Sequence, residues 1–230
     1  MTLDELFRHS LVINLDTAED RLALMRRAFS FAGLPMPRRI GACHLRKLEY
    51  NPWWRRPPGG RYHVANCSAS HLQCIHMAQA LGWPFVAVFE DDAWPRRDAR
   101  AALDAGLADL RPTGCWFPGW CMRREDDAGP AFSGSHAYVV FADAYETFCE
   151  AYRADLRQWY ADEVFLIYEP LRRVTRMSDT CVFSQMNVVD GAPAYAGLFA
   201  EDKGDLPGCW RAFSRNVPQG FPSYEEVVHG

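Results

Sequence analysis

The sequence has few of the features that mark membrane, secreted or zinc-finger proteins. Its longest uninterrupted apolar run covers residues 137–142, far short of the ~20 residues that a membrane-spanning helix needs. The start of the chain contains Asp4, Glu5 and Arg8, and it lacks the basic start and apolar middle of a signal peptide. None of the eight cysteines belongs to a C-x-x-C pair, so free and mostly buried thiols are expected. These absences predict a cytoplasmic protein.

Lysine is also scarce, since Lys47 and Lys203 are the only two. No G-x-x-x-x-G-K sequence is present, which disfavours a lysine-containing phosphate loop. The net charge is −4, but residues 1–61 hold eleven Lys and Arg against six Asp and Glu. The acidic balance of the whole chain argues against a nucleic-acid partner. The basic first third suits a phosphorylated small molecule, a peripheral contact with the inner face of a membrane, or simply a solvated basic surface.

Composition and periodicity predict an α/β fold. The chain has 230 residues, 49% of them hydrophobic, which is enough for one domain with a sizeable core. Apolar runs predict strands at residues 10–16, 39–43, 85–89, 115–120 and 136–141, and helical spacing predicts helices near residues 17–32, 70–81, 103–110 and 143–156. Alternating strands and helices favour a mainly parallel sheet with helices on both faces. We expect one domain over residues 1–203 and a Pro/Gly-rich tail over residues 204–230.

Pairs of polar residues predict where three of these helices begin. Thr17 with Asp20, Ser70 with Gln73, and Asp143 with Glu146 have the spacing of helix-capping pairs. Two Pro/Gly-rich passages, residues 51–61 and the tail, are predicted loops, and so is the polar stretch 123–127.

The sharpest candidate site is the triplet Glu90, Asp91 and Asp92, directly after the apolar strand 85–89. Ligands of parallel sheets gather at the carboxyl ends of strands. Side chains alternate along a strand, so Glu90 and Asp92 are expected on the same side. Two carboxylates there would repel each other without a cation, and their oxygen atoms suit Mg²⁺ or Mn²⁺. The alternative is that the triplet only caps the next helix.

Other polar residues are weaker candidates when each is considered alone. Ser70 has a sufficient structural role as a helix cap, and His71 in a first helical turn is more often a core or surface residue than a ligand. The adjacent acids Asp162 and Glu163 precede an apolar segment, where a surface turn explains them as well as a catalytic base does.

Taken together and in order, these segments resemble glycosyltransferase family 25, the lipooligosaccharide-type glycosyltransferases. The resemblance covers about residues 9–170, and several ordered blocks make it far more specific than any one of them. The blocks are residues 11–21 (LVINLDTAEDR), 41–43 (GAC), 67–71 (CSASH), 88–93 (VFEDDA), 134–140 (GSHAYVV) and 161–165 (ADEVF).

The resemblance implies a GT-A-type fold with a Rossmann-like sheet, and an inverting transfer of galactose or glucose. It implies a UDP-galactose or UDP-glucose donor, a glycan or lipooligosaccharide acceptor, and Mn²⁺ (or Mg²⁺) as cofactor. By this resemblance Asp92 ligates the metal and Glu90 touches the metal or the donor. Asp162 is the candidate general base, with Glu163 second. The implied donor-binding residues are Asn14, Arg21, Ser70, His71, Glu90, Asp91 and Gly134.

Two other functions remain open at this point. An acidic metal site on a similar sheet also occurs in nucleotidyltransferases, and a non-catalytic family member would bind a nucleotide-sugar without turnover. The loop with Trp53 and Trp54 and the region from about Met177 match no block of the family. The acceptor, the linkage, the choice of galactose or glucose and the oligomeric state are therefore not predicted.

Overall fold

The computed structural model describes residues 1–44, 62–120, 122–126, 129–155, 168–189, 192–196 and 213–229. Within these ranges, side chains are described for residues 1–44, 65–120, 134–153, 168–186, 192–194 and 215–229. The predicted loop 51–61, the two tryptophans in it, and the candidate bases Asp162 and Glu163 lie outside the described residues.

Helices and strands alternate through the first 90 residues of the chain, as far as these are described, and strands predominate after that. The helices are α1 (Leu3–Arg8), α2 (Glu19–Phe31), α3 (Tyr62–Ala80), α4 (Ala99–Ala108), α5 (Tyr145–Asp155), α6 (Glu169–Arg173) and α7 (Tyr224–His229). The strands are β1 (Ser10–Asn14), β2 (Arg38–Gly41), β3 (Phe85–Glu90), β4 (Ala93–Pro95), β5 (Cys115–Phe117), β6 (Met122–Asp126), β7 (Gly129–Ser133), β8 (Ala137–Phe141), β9 (Thr175–Met177), β10 (Phe183–Val189), β11 (Ala192–Ala196) and β12 (Phe213–Ser214).

The central sheet has six strands in the order β2-β1-β3-β8-β5-β9. β1 pairs in parallel with β2 and β3, and β5 pairs in parallel with β9, whereas β8 runs antiparallel to both β3 and β5. Five strands therefore share one direction, which confirms the predicted α/β fold with a mainly parallel sheet. The carboxyl ends of β1, β2 and β3 lie side by side at one edge of the sheet.

Alternate residues of the strands pack against helices on the two faces of this sheet. Val86 and Val88 belong to a core with Ile75 of α3 and Phe148 of α5. Phe85, Ala87 and Phe89 belong to a second core with helices α1, α2 and α4. Burial on both faces explains why β3 is a continuous apolar run that becomes polar only at its carboxyl end.

Antiparallel strands form two further sheets that the sequence pattern did not predict. β4, β10, β11 and β12 form a four-stranded sheet, and β6 with β7 forms a hairpin where a polar loop was predicted. The hairpin sequence has little alternation of apolar and polar residues, which is the signal that predicts half-buried strands.

The three predicted capping pairs do not cap helices. α2 follows Ala18, and no side chain caps it. α3 begins at Tyr62, which places Ser70 inside the helix. Asp143 lies in a 3-10 turn and accepts a hydrogen bond from the backbone N–H of Gly114 (3.0 Å). Each pair has the right spacing, but spacing alone does not fix where a helix begins.

The described end of the tail packs on the body of the protein. Trp94 Nε1 donates to the carbonyl of Pro222 (2.9 Å), and Arg27 on α2 donates to the carbonyl of Val228 (3.1 Å). Phe221 is buried in the core. The tail was predicted as loop, yet its described part contains β12 and α7.

The described cysteines agree with the expectation of free and mostly buried thiols. The six cysteines whose side chains are described are thiols rather than disulfide halves, and four of them are buried. Among the described helices, none combines the length and the apolar character needed to cross a membrane.

Candidate functional site

The acidic triplet lies at the carboxyl end of β3, where the chain passes from the central sheet to the four-stranded sheet. Glu90 is the last residue of β3, and Asp91 and Asp92 form a turn that leads into β4. Their side chains are 18%, 10% and 5% exposed. The predicted common face of Glu90 and Asp92 depended on the alternation of side chains along a strand. That alternation ends with β3, at Glu90. The three carboxylates consequently have different sets of partners, with Arg21 common to the two aspartates.

Arg21 of α2 reaches two of these carboxylates. Its guanidinium lies 2.5 Å from Oδ1 of Asp91 and 3.3 Å from Oδ2 of Asp92. Burial raises the pKa of Asp91 above its ordinary value, and the neighbouring Arg21 and the hydrogen bond from Asn14 offset this only in part. A positive charge between the aspartates is therefore supplied by the chain itself.

Asn14, at the end of β1, connects three elements of the site. Its amide nitrogen donates to Oδ2 of Asp91 (2.8 Å) and to the carbonyl of Ala18 (2.9 Å). Its amide oxygen accepts from Nε of Arg39 on β2 (2.9 Å), and Arg39 also pairs with Asp16. Asn14, Arg21 and Asp91, all predicted to bind the donor, are thus joined by direct contacts.

Glu90 has different partners, on the side of α3 and β8. Ser135 donates to Oε1 of Glu90 (2.8 Å), and Nε2 of His71 lies 3.4 Å from the same oxygen. The other ring nitrogen of His71, Nδ1, is 2.6 Å from the hydroxyl of Tyr138. Burial raises the pKa of Tyr138 well above its ordinary value, so this phenol stays protonated.

Gly134 precedes Ser135 with a φ of +103°, a conformation that residues with side chains rarely adopt. This turn delivers Ser135 to Glu90. The backbone conformation next to the triplet therefore explains why position 134 is a glycine.

Asp92 accepts hydrogen bonds from the four-stranded sheet. Gln185 on β10 donates to its Oδ2 (2.9 Å), and the backbone N–H of Met186 donates to its carbonyl (2.9 Å). Gln185 was not predicted, because β10 lies outside the region of the family resemblance. Arg39, Cys67 and Tyr138 were not predicted as individual site residues either, although Cys67 and Tyr138 lie within blocks of that resemblance.

Ser70 does not face the carboxylates. Its hydroxyl donates to the carbonyl of Asn66 (2.7 Å), one turn earlier in α3, and accepts from the backbone N–H of Cys43 (2.9 Å). These two hydrogen bonds connect the segment after β2 to α3.

A cavity of about 710 Å³ opens beside Asn14, at the carboxyl ends of β1 and β2. Its volume lies within the ~300–1,000 Å³ typical of small-molecule sites. Its wall carries both signs of charge and is formed by Asn14, Asp16, Glu19, Asp20, Leu22, Ala23, Arg26 and Arg39. A ligand with a phosphate and several hydroxyl groups would find donors and acceptors there.

The predicted metal ligands Glu90 and Asp92 contact different residues in this structure. Asp92 contacts Arg21 and Gln185, whereas Glu90 contacts Ser135 and His71. Within the described part of the chain, only one group of three His, Cys, Asp or Glu side chains brings its ligand atoms within 4.8 Å of one another, namely Cys67, His71 and Glu90. Of the two predicted ligands, this group contains Glu90 and not Asp92.

No protein-family model matches the sequence, and comparison with curated proteins finds no match. A solved structure described as a glycosyltransferase involved in the glycosylation of the major capsid of PBCV-1 is similar, with a TM-score of 0.44 and 11% identity. The similarity covers 74% of this chain and 80% of that chain. At this distance, the function has to be argued from the site itself.

Proposed function

We propose that this protein is an inverting glycosyltransferase that moves a hexose from a UDP-sugar to a glycan acceptor. One observation carries the proposal: four blocks of the family 25 resemblance, distant in sequence, converge on one site. Asn14 and Arg21 come from block 11–21, His71 from block 67–71, Asp91 from block 88–93 and Ser135 from block 134–140. Their contacts join β1, α2, α3 and β3 to the turn before β8.

The donor's diphosphate would lie in the cavity, beside its two arginines. Arg26 and Arg39 line the cavity, and Arg21 lies on the same helix as Arg26. Guanidinium groups bind phosphate oxygens through paired hydrogen bonds. The side chain of Arg21 is 43% exposed, so it remains accessible to a ligand while it contacts Asp91.

Cleavage of the bond between sugar and phosphate leaves negative charge on the departing UDP. A fixed positive group that meets this charge lowers the barrier, because it needs no reorganisation during the reaction. Arg21 is our candidate for that group. Asp91 positions it by direct contact, and Asn14 in turn holds Asp91.

The acceptor hydroxyl needs a general base, and Asp162 is the proposed one, with Glu163 second. A positioned carboxylate that accepts the proton contributes ~10²–10⁴ in rate. Inversion in a single displacement requires it to be opposite the leaving group. Mn²⁺ (or Mg²⁺) at Asp92 and Glu90 stays a prediction, and the proposed roles of Arg21 and Asp162 do not depend on it.

The finer assignments belong to the same proposal. A GT-A-type fold, membership of family 25, UDP-galactose or UDP-glucose as donor and a lipooligosaccharide acceptor all follow from the sequence resemblance. Residence in the cytoplasm, at the inner face of a membrane, is part of the same proposal.

Product analysis tests the proposal. The protein is incubated with a panel of UDP-sugars and mixed glycan acceptors, and the nucleotide products are separated. Release of UDP with transfer of the sugar is the expected result, and Arg21→Ala should lose it while Arg153→Ala, in an exposed ion pair on α5, keeps it. Release of pyrophosphate would show nucleotidyl transfer instead, and tight UDP-sugar binding without any product would show a non-catalytic binding protein.

A further inference from the structure

Cys67, His71 and Glu90 form a group separate from the arginine side of the site. Cys67 and His71 are four residues apart on α3, so they lie on the same face of the helix. Glu90 ends β3, the strand against which α3 packs. One sulfur, one nitrogen and one carboxylate oxygen lie within 4.8 Å of one another. We propose that these three residues bind a divalent transition metal ion of the zinc type.

The geometry of His71 supports this assignment. The side chain is buried, and within the described residues its Nε2 has no hydrogen-bond partner. That nitrogen points at Glu90, with 3.4 Å between Nε2 and Oε1. Two ligand atoms bound tetrahedrally to zinc at about 2.0–2.1 Å are about 3.3 Å apart. The observed separation therefore suits two atoms that share a metal ion.

Tyr138 provides the outer contact that a metal-binding histidine usually has. Histidine ligands normally use their second ring nitrogen for a hydrogen bond, which fixes the tautomer and the ring orientation. In this protein Nδ1 lies 2.6 Å from the Tyr138 hydroxyl. A proton on Nδ1 would leave the lone pair of Nε2 facing the carboxylate, and a cation between them removes that repulsion.

The ligand types select the metal. A thiolate and an imidazole are poor ligands for Mg²⁺ and Mn²⁺ but good ones for Zn²⁺. Cys67 is only partly buried, and its sulfur lies within 4.8 Å of the ligand atoms of His71 and Glu90. Three protein ligands leave a fourth position for water or a substrate oxygen, as in catalytic zinc sites. Metal binding by this group does not depend on glycosyl transfer.

Titration of the metal-free full chain with Co²⁺ tests the proposal, because a cobalt–thiolate bond gives a strong near-ultraviolet charge-transfer band. We expect one Co²⁺ per chain with that band and with the visible absorption of a tetrahedral ion, and displacement of Co²⁺ by Zn²⁺. Cys67→Ser should lose the band, and Glu90→Gln should weaken Zn²⁺ binding by roughly tenfold or more. Cys43→Ser is the matched control, since Cys43 is also partly buried but lies outside the group.

The same titration can overturn the proposal. A band that persists unchanged in Cys67→Ser would place the thiolate ligand elsewhere in the chain. Absence of Co²⁺ and Zn²⁺ binding by the wild-type protein would show that His71 and Glu90 form only a proton-mediated pair. The circular dichroism of each metal-free variant should match that of the wild type, so that loss of binding is not loss of fold.

Discussion

Arg21 contacts both aspartates of the acidic triplet, with its guanidinium 2.5 Å from Asp91 and 3.3 Å from Asp92. The triplet was predicted to need a metal ion because its carboxylates repel each other. The structure shows that α2 supplies a cation to two of the three. Glu90 is directed to α3 and β8 instead, next to a set of ligands that suits a different metal.

Replacement of Arg21 should affect activity much more than stability. Because the side chain is 43% exposed, Arg21→Ala should cost about 1–2 kcal/mol in the free energy of unfolding. We expect its rate of UDP release to fall by ~10² or more, since loss of one preorganised charge-stabilising group has that size of effect. Arg21→Lys keeps the charge but not the planar donors, so it should recover only part of the rate.

Urea unfolding and initial rates measure both effects. Arg153→Ala, which breaks an exposed pair with Glu146, should stay within about 0.5 kcal/mol and keep full activity. An Arg21→Ala protein with normal turnover would remove Arg21 from the proposed mechanism.

The raised pKa of Asp91 predicts how stability depends on pH. Burial is the main cause, so the native state holds this proton more tightly than the unfolded chain does. The contribution of Asp91 to stability therefore falls as pH rises from its unfolded pKa, about 3.9, through the raised native pKa. Asp91→Asn cannot ionise, so its free energy of unfolding, relative to that of the wild type, should increase as the pH rises through this window.

Chemical denaturation of both proteins between acid and neutral pH gives the difference directly. A difference that moves in favour of the wild type with rising pH would mean that Arg21 and Asn14 outweigh burial at Asp91.

Ser70 should behave as a residue inside a helix. Ser70→Ala leaves the backbone N–H of Cys43 without its acceptor, at a cost of about 1–3 kcal/mol. Ser70→Asp would preserve a helix cap, but Ser70 is 2% exposed in the middle of α3, so the new charge should be more destabilising than alanine. Thermal melts rank the three proteins, and an aspartate variant as stable as the wild type would contradict the position of Ser70 in α3.

The outline of the fold could be predicted because it depends on local patterns. β3 is apolar over its buried length, and α2 has apolar residues at helical spacing; both were predicted within a few residues. The acidic triplet was expected at a strand end, and it lies there. Asn14, Arg21 and Asp91 were expected in one site because their blocks resemble one family, and contacts join them.

The remaining features depend on contacts between distant segments. Gln185 reaches Asp92 only because β10 pairs with β4, and nothing near Gln185 in the sequence indicates that pairing. Ser70 was assigned to a cap because the capping pattern says nothing of the eight helical residues before it. The expected common face of Glu90 and Asp92 assumed a straight strand, whereas the chain turns after Glu90.

The general base gives the sharpest comparison between neighbouring residues, Asp162 and Glu163. If the segment is extended, their side chains point to opposite faces, so only one can reach the acceptor hydroxyl. Removal of a true base slows chemistry and leaves donor affinity nearly unchanged, because the base meets the acceptor rather than the nucleotide. Asp162→Asn should therefore bind UDP-sugar normally and turn over ~10² or more slower, while Glu163→Gln should be close to wild type. Calorimetric titration with UDP-sugar and single-turnover rates separate the two effects. The reverse result would assign the base to Glu163, and two nearly normal variants would move the search to Asp179 and Asp190.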